Sequence, residues 1–225
     1  PPRTDLVVLE TPEHLERQGY HGSPVVRASA LLALRDPAPA GACIRELVAA
    51  MDVHFPDPRR DLEAPFLMPI EGVHTIVGRG TVVTGRVERG VLRAGSPVEI
   101  VGLVDAEQRP RPVVVTSIQT FHKDLPEARA GANCGLLLRG VPRDEVVRGQ
   151  VLVAPGSVKP RTRATAELFV LSKEEGGRCT PIHPGYRPQF FFGTTYVTGT
   201  VVRLGELALL DPGDHARVEL ELAKP

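Results

Sequence analysis

The chain has 225 residues, of which 42% are hydrophobic, and this length suffices for two or three modules because domains usually run to about 100–150 residues. Lysine plus arginine and aspartate plus glutamate each total 27, which excludes the excess positive charge that drives indiscriminate binding to nucleic acid, so any RNA site must be local. The chain has three cysteines and no CxxC pair, which argues against a disulfide framework and a zinc site. It also has no apolar run near the roughly 20 residues of a membrane span, which argues against a membrane partner. Both observations favour a cytoplasmic location.

The first 60 residues carry helical patterns around one short apolar run. Thr11 followed by Pro12 predicts the N-cap and first position of a short helix that ends near Gly19. The run PVVRA at residues 24–28 predicts a buried strand. Apolar residues at spacing i, i+3, i+4 and i+7 then predict a helix over residues 41–53; they are Ile44, Leu47, Val48 and Met51. This helix, strand, helix order is typical of the end of an α/β domain.

From about Leu62 onward the apolar period changes from 3.6 to 2, which predicts antiparallel strands. The alternation is clearest in residues 215–223, where four apolar side chains share one face: Ala216, Val218, Leu220 and Leu222. Residues 164–170 and 112–118 alternate in the same way. The sequence therefore predicts two antiparallel barrels over residues 65–155 and 160–225, preceded by an α/β segment over residues 1–57 and a linker over residues 58–64, which overlaps the extended stretch at residues 55–60 with its two prolines.

Turns and one insertion punctuate the predicted strands. Gly95 and Gly213 lie in two similar turns and are expected to supply the positive φ that such turns require. The segment at residues 105–112 lengthens a hairpin, which is expected to be harmless because extra loop residues add little closure entropy.

Motifs for catalysis and for nucleotide phosphates are absent from the 225 residues. No GxxxxGK[ST] loop, guanine-binding Asn-Lys-x-Asp element or Asp-x-x-Gly switch occurs, and no GxSxG elbow. Seven histidines are scattered without an HExxH or other ligand spacing. We therefore expect no catalytic and no metal-binding residues, and no GTP hydrolysis by this chain alone.

Four blocks nevertheless identify a family resemblance. They are GRGTVVTGRVERG at 78–90, EEGGR at 174–178, RPQFFF at 187–192 and VTGT at 197–200. The first block resembles translation GTPases generally, and the later blocks resemble the elongation factor Tu family in particular. The resemblance covers essentially the whole chain. It implies a mainly β fold, with two antiparallel β-barrels of the translation-factor type preceded by an α/β remnant of a GTP-binding domain.

The resemblance also implies a function, which is GTP-dependent delivery of aminoacyl-tRNA to the ribosome. In the full-length parent the cofactors are GTP and Mg²⁺, with none expected for this chain alone. The implied partners are aminoacyl-tRNA, the ribosome and a guanine-nucleotide exchange factor of the elongation factor Ts type. Family members continue with further strands beyond residues 215–223, so we expect a partial chain whose last barrel is incomplete, marginal in isolation and prone to self-association.

Three sets of site residues follow from the resemblance. The guanine loop corresponds to Ser29, Ala30 and Leu31, for which a plain helix start is the alternative. The pocket for the aminoacyl group and 3′-adenosine corresponds to Glu71, His74, Arg79, Thr84, Gln119 and Asn133, the last through its backbone. Contacts to the tRNA backbone correspond to Arg148, Arg178, Tyr186, Gln189 and Thr198. Each strand residue among them could equally be an ordinary part of its sheet, and Phe190, Phe191 and Phe192 are interpreted as core and domain interface.

Five departures from the family pattern weaken this functional prediction. Gly72 stands where the family has an acidic residue, His74 where it has an aromatic ring, and Gln119 where it has a glutamate. Cys179 replaces a histidine and Gly193 an arginine. The alternative function is therefore a tandem-barrel module that binds RNA or protein, a divergent paralogue without aminoacyl-tRNA delivery.

Overall fold

The structure is a computed structural model that describes residues 2–103 and 110–225. It divides into two compact units, one up to Arg59 and one from Arg60 onward. Within the described residues, no helix has both the length and the apolar character to cross a membrane.

The first unit contains three helices, α1 (Pro2–Arg17), α2 (Ala30–Arg35) and α3 (Pro37–His54). The prediction that the first helix has Thr11 as its N-cap and Pro12 as its first position was wrong, because α1 begins at Pro2. The Thr11 hydroxyl donates to the carbonyl of Val7 at 2.6 Å, so it bonds back into a helix that is already formed and does not cap a new one. The end of this helix was predicted correctly, since Gly19 adopts φ 84° just after α1.

The predicted strand at residues 24–28 was also wrong. These residues form no strand, and Val25 is 37% exposed. A buried strand needs neighbours for its N–H and C=O groups, and residues 2–59 contain no other strand to supply them. The segment is attached to α1 instead by the ion pair between Arg27 and Asp5, at 2.7 Å. Helix α3 includes the predicted residues 41–53 and begins earlier, with Pro37 in its first turn.

The second unit begins with a barrel of ten short strands. These are β1 (Leu67–Pro69), β2 (Gly72–Ile76), β3 (Gly80–Arg86), β4 (Val91–Arg93), β5 (Pro97–Val101), β6 (Arg111–Thr120), β7 (Lys123–Leu125), β8 (Glu127–Arg129), β9 (Asn133–Arg139) and β10 (Val151–Val153). The main sheet has the order β1-β10-β5-β6-β9-β3-β2, with β7 paired to β6, while β4 and β8 form a separate ribbon. A 3₁₀ turn covers Arg143–Glu145. Every strand pair is antiparallel.

Backbone hydrogen bonds close this sheet on itself. The amide of Leu67 in β1 donates to the carbonyl of Arg89 at 3.1 Å, and the amide of Glu88 donates to the carbonyl of Leu67 at 2.9 Å. These bonds join β1 to the chain that follows β3, so the two ends of the main sheet meet. Eighteen buried side chains, including Met68, Val83 and Leu136, fill the interior, while alternate residues of each strand face outward.

A second curled sheet follows, made of β11 (Arg163–Phe169), β12 (Gln189–Phe192), β13 (Thr195–Arg203) and β14 (His215–Leu222) in the order β11-β14-β13-β12. The predicted alternation in β14 is confirmed, because Val218 and Leu220 are buried and Ala216 packs against the same core. Strands β11 and β12 pair with no further strand within the described part of the chain. The mainly β fold with two translation-factor β domains, predicted from the sequence, is confirmed.

The two turn glycines adopt the predicted conformations, with φ 86° at Gly95 and 94° at Gly213. The predicted hairpin insertion falls largely on residues 104–109, which lie outside the described residues.

Candidate functional site

The outer face of the first barrel carries a row of cross-strand neighbours from four adjacent strands. Gly72 in β2 pairs with Thr84 in β3, Thr84 pairs with Gly135 in β9, and Gly135 pairs with Gln119 in β6. Adjacent strands lie about 4.8 Å apart, so the row extends roughly 14 Å across the sheet. We call this row, with His74 and Asn133, the outer face. It brings together four of the six residues predicted for the aminoacyl and adenosine pocket.

At its glycine positions, the middle of the outer face has no side chains that project from the sheet. Gly135 presents no side chain between Thr84 and Gln119, which are both half-buried. Over Gly72, a Cβ atom would lie 2.7 Å from the Thr84 hydroxyl and 3.0 Å from Nε2 of His74. The side chains of Thr84 and His74 therefore occupy the space above Gly72, and a shallow depression remains over Gly135, bounded by Thr84 and Gln119.

Gln119 is held by a neighbour that the sequence interpretation missed. Its Nε2 donates to Oδ1 of Asp124 at 2.8 Å, and the hydroxyl of Ser117 donates to the same oxygen at 3.2 Å. Gln119 and Asp124 are cross-strand partners in the β6–β7 hairpin. The signal in the sequence would have been the two-residue turn, but Phe121 and His122 are not turn formers.

Asn133, which belongs to the outer face, and Glu71, a fifth predicted pocket residue, lie beside the row. Asn133 begins β9 two residues before Gly135, and its carbonyl accepts from the Thr120 hydroxyl at 2.8 Å. Glu71 immediately precedes β2, and its amide donates to the carbonyl of Thr84 at 2.8 Å. The Glu71 side chain is exposed. Both residues are therefore positioned by their backbones, with the Glu71 side chain available to solvent.

The structure does not bring Arg79 together with this group. Arg79 lies in the β2–β3 turn, five positions before Thr84, which corresponds to roughly 16 Å along an extended strand. It lines a separate depression at that end of the barrel together with Thr116 and Arg139.

Arg148 lies at the junction of the two β domains. Its Nε donates to the carbonyl of Thr194 in the β12–β13 turn at 3.0 Å, and the Thr194 hydroxyl donates to the carbonyl of Ile70 at 3.0 Å. Ile70 is the residue before Glu71, so the turn that Arg148 contacts is bonded to the chain just before the outer face. The next residue, Gly149, has φ 96°, and a Cβ atom there would lie 2.6 Å from the Thr195 hydroxyl.

The four predicted tRNA contacts on the second sheet form two pairs. Gln189 and Thr198 are exposed cross-strand partners in β12 and β13. The guanidinium of Arg178 lies 4.4 Å from the centroid of the Tyr186 ring, and its Nε donates to the carbonyl of Thr180 at 2.6 Å. Arg178 is thus ordered by its own loop, and no described contact links this pair to Arg148.

The substituted positions on the second sheet are accessible. Cys179 is exposed beside Arg178, and Gly193 adopts φ 50° in the β12–β13 turn. Of the three consecutive phenylalanines, Phe190 packs against the core of the sheet. Phe191 is 75% exposed and Phe192 is 47% exposed, with Phe192 lining the cleft between the two β domains.

The predicted guanine loop belongs to the first unit. The Ser29 hydroxyl accepts from the amide of Leu32 at 3.3 Å and caps α2, so these residues form the helix start that was the alternative interpretation. A role of Ser29, Ala30 and Leu31 in nucleotide binding stays a prediction.

Within the described residues two groups have shifted pKa values, and neither lies on the outer face. A hydrogen bond from Arg129 lowers the pKa of Glu127. Burial raises the pKa of the Cys134 thiol to about 11, and this residue faces the core beside Met68. In residues 2–103 and 110–225, no three acidic, histidine or cysteine side chains come together as metal ligands would.

A closed antiparallel barrel followed by a second curled antiparallel sheet places the chain in the class of proteins with tandem β domains. Residues 80–153 match the family described as elongation factor Tu domain 2, and residues 157–225 match the elongation factor Tu C-terminal domain. These two matches together span more than half of the chain. The chain belongs to the elongation factor Tu family of translation factors.

Proposed function

We propose that the chain binds the aminoacylated 3′ end of a tRNA on the outer face of its first barrel, as part of GTP-dependent delivery to the ribosome. The observation that supports this most is the row Gly72, Thr84, Gly135 and Gln119, because a bare glycine flanked by polar side chains leaves room for a flat ring at hydrogen-bonding distance.

The individual roles follow from the chemistry of each group. Oε1 of Gln119 accepts a hydrogen bond from a ribose hydroxyl, and the Thr84 hydroxyl and the His74 ring line the aminoacyl side. Arg148, at the domain junction, approaches a phosphate of the acceptor stem. Gln189 and Thr198 contact the backbone of the adjoining helix. Few side chains suffice, since A-form RNA is recognised by shape, phosphates and 2′-hydroxyls.

The residues of this chain do not fit a site for GTP and Mg²⁺. The sequence contains no phosphate loop, the Ser29 hydroxyl is engaged in capping α2, and no cluster of metal ligands is present among the described residues. The proposal therefore concerns RNA binding and not hydrolysis. The ribosome and an exchange factor of the elongation factor Ts type remain proposed partners of the full-length protein.

The test compares the affinities of one tRNA in its aminoacylated and uncharged forms, both measured at the same series of salt concentrations because phosphate contacts make affinity salt-dependent. We expect tighter binding of the charged form. The variant Gln119→Ala should lower affinity for both forms by removing the acceptor for the ribose, whereas Arg148→Ala should also reduce the slope of log K against log salt by about 1.

The matched control is Thr165→Val, which changes an exposed threonine in β11 of the second sheet and should bind as the wild type does. Equal affinity for charged and uncharged tRNA would exclude the delivery role and would favour the alternative function, a tandem β-domain module that binds RNA without recognising the aminoacyl ester.

A further inference from the structure

Asp124 and Gln119 form a bonded pair on the outer face that makes the orientation of the Gln119 amide unambiguous. An ionised carboxylate only accepts hydrogen bonds. The 2.8 Å contact to Oδ1 of Asp124 must therefore be made by the Nε2 donor of Gln119. The amide cannot rotate by 180° without placing two oxygens against each other.

The pairing also determines where the amide oxygen points. Strand β7, which carries Asp124, lies on one side of β6, and β9, which carries Gly135, lies on the other. With Nε2 bonded to Asp124, Oε1 points away from that carboxylate, because the two atoms lie on different sides of the amide carbon. Within residues 2–103 and 110–225 no hydrogen bond to Oε1 is observed, so the acceptor is available to a ligand.

The hairpin that places Asp124 here adopts an uncommon conformation. Phe121 and His122 have φ 47° and 63°, and they form the two-residue loop between the paired residues Thr120 and Lys123. Positive φ at both loop positions is the requirement of a type I′ turn, for which asparagine and glycine are the usual residues. Such a turn aligns Asp124 opposite Gln119, and non-glycine residues in this conformation often accompany functional sites.

We infer that Asp124 is a positioning residue for RNA recognition, which fixes the Gln119 amide so that Oε1 accepts a hydrogen bond from the ribose hydroxyl of a 3′-terminal adenosine. This inference rests on the proposed function. It explains how a glutamine performs the task at this position, because a glutamate presents an acceptor in either orientation whereas a glutamine does so only when its amide is held.

The test measures the ratio of affinities for an aminoacylated tRNA ending in adenosine and for the same tRNA ending in 2′-deoxyadenosine. In the wild type the ratio should exceed one. Asp124→Leu frees the amide and should reduce the ratio at least threefold. Ser117→Ala removes the other donor to Oδ1 while leaving Gln119 bonded, and should retain the wild-type ratio.

A rescue distinguishes positioning from a structural role. Gln119→Glu alone places two carboxylates side by side, which is unfavourable, and should lower the ratio. Adding Asp124→Leu to Gln119→Glu should restore it, so that the same substitution lowers the ratio in one background and raises it in the other. If Asp124 had only a structural role, Asp124→Leu would lower the affinity ratio both in the wild type and in Gln119→Glu. An unchanged ratio in Asp124→Leu, an equal loss in Ser117→Ala, or no rescue would overturn the inference.

The orientation is also measurable without RNA, by the side-chain amide resonances of Gln119 in a ¹⁵N-labelled sample. We expect these resonances to shift in Asp124→Leu and to remain in place in Ser117→Ala. If charged and uncharged tRNA bind equally, the proposed function fails on that measurement, and the ribose role of Asp124 fails with it. If charged tRNA is preferred but Asp124→Leu leaves the amide resonances unmoved, only the positioning inference fails.

Discussion

Gly135→Ala provides a direct test of the outer face, because the backbone conformation at this strand position does not require a glycine. Its φ is not positive, and a Cβ atom would make only ordinary contacts, 3.5 Å to Cγ1 of Val82 and 3.9 Å to Cγ2 of Thr84. Glycine weakens a strand interior. We therefore expect the substitution to stabilise the protein, by about 0.4–1 kcal/mol, through the reduced freedom of the unfolded chain.

The same methyl group would stand on the floor of the depression between Thr84 and Gln119. A ligand ring that fits the wild-type surface would be displaced or would have to overpack, and overpacking costs about 1–3 kcal/mol. A loss of about 1.4 kcal/mol corresponds to a tenfold weaker complex. Gly135→Ala should thus bind charged tRNA roughly tenfold less tightly while unfolding at a higher urea concentration.

Gly85 supplies the matched control on the opposite side of the same sheet. It pairs with Cys134 beside Gly135, faces the core, and a Cβ atom there would collide with the backbone carbonyl oxygen of Pro69. Gly85→Ala should destabilise the barrel by at least about 1–3 kcal/mol. Unfolding is best followed by circular dichroism, because the chain has no tryptophan. Wild-type binding of charged tRNA by Gly135→Ala would refute the assignment of the outer face.

Three further changes test other parts of the structure. Gly149→Ala places a methyl group against the side chain of Thr195, so it should disrupt the contact between the β domains and increase the radius of gyration in solution scattering. Gly140 also has positive φ but has open surroundings, so Gly140→Ala should leave the radius of gyration unchanged. Burial raises the pKa of the Cys134 thiol from 9.0 to about 11. The protonated thiol therefore stabilises the folded state fully below pH 9, and this stabilisation is lost as the pH rises toward 11. Between pH 9 and 11 the urea midpoint of Cys134→Ala should fall less than that of the wild type. Replacing residues 121–122 by Asn-Gly places residues that tolerate positive φ at both loop positions and should raise the free energy of unfolding by about 1 kcal/mol or more, measured as a higher urea midpoint.

The strands were the most predictable part of the fold, because alternation is a local property. In β14 the buried residues Val218 and Leu220 are two positions apart, as the period of a strand requires. The helical unit was less predictable. Thr11 and Pro12 have the composition of a helix start, but a threonine hydroxyl can equally bond to a carbonyl one turn earlier, as Thr11 does with Val7, and local sequence does not decide between the two.

The candidate site was predictable only through family resemblance. Thr84, Gly135 and Gln119 are distant in sequence and become neighbours through the registers of β3 with β9 and of β9 with β6. No local pattern determines those registers, because each strand could shift by two residues and keep its apolar face inward. Asp124 was missed for a related reason, since its alignment with Gln119 depends on a turn that has neither asparagine nor glycine.

At the junction of the β domains, one acceptor joins the segment of Arg148, a predicted tRNA contact, to the chain just before the outer face. The carbonyl of Ile70 accepts from the amide of Gly149 at 2.9 Å and from the hydroxyl of Thr194 at 3.0 Å. Displacing the β12–β13 turn would cost the Thr194 bond, about 0.5–1.5 kcal/mol, together with the contact from Arg148 to the same turn. Because Ile70 precedes Glu71, whose amide is bonded to the carbonyl of Thr84, the second sheet helps to hold the chain that leads into the outer face. Binding of the aminoacylated 3′ end and contacts to the tRNA backbone are therefore expected to weaken together when this junction is opened.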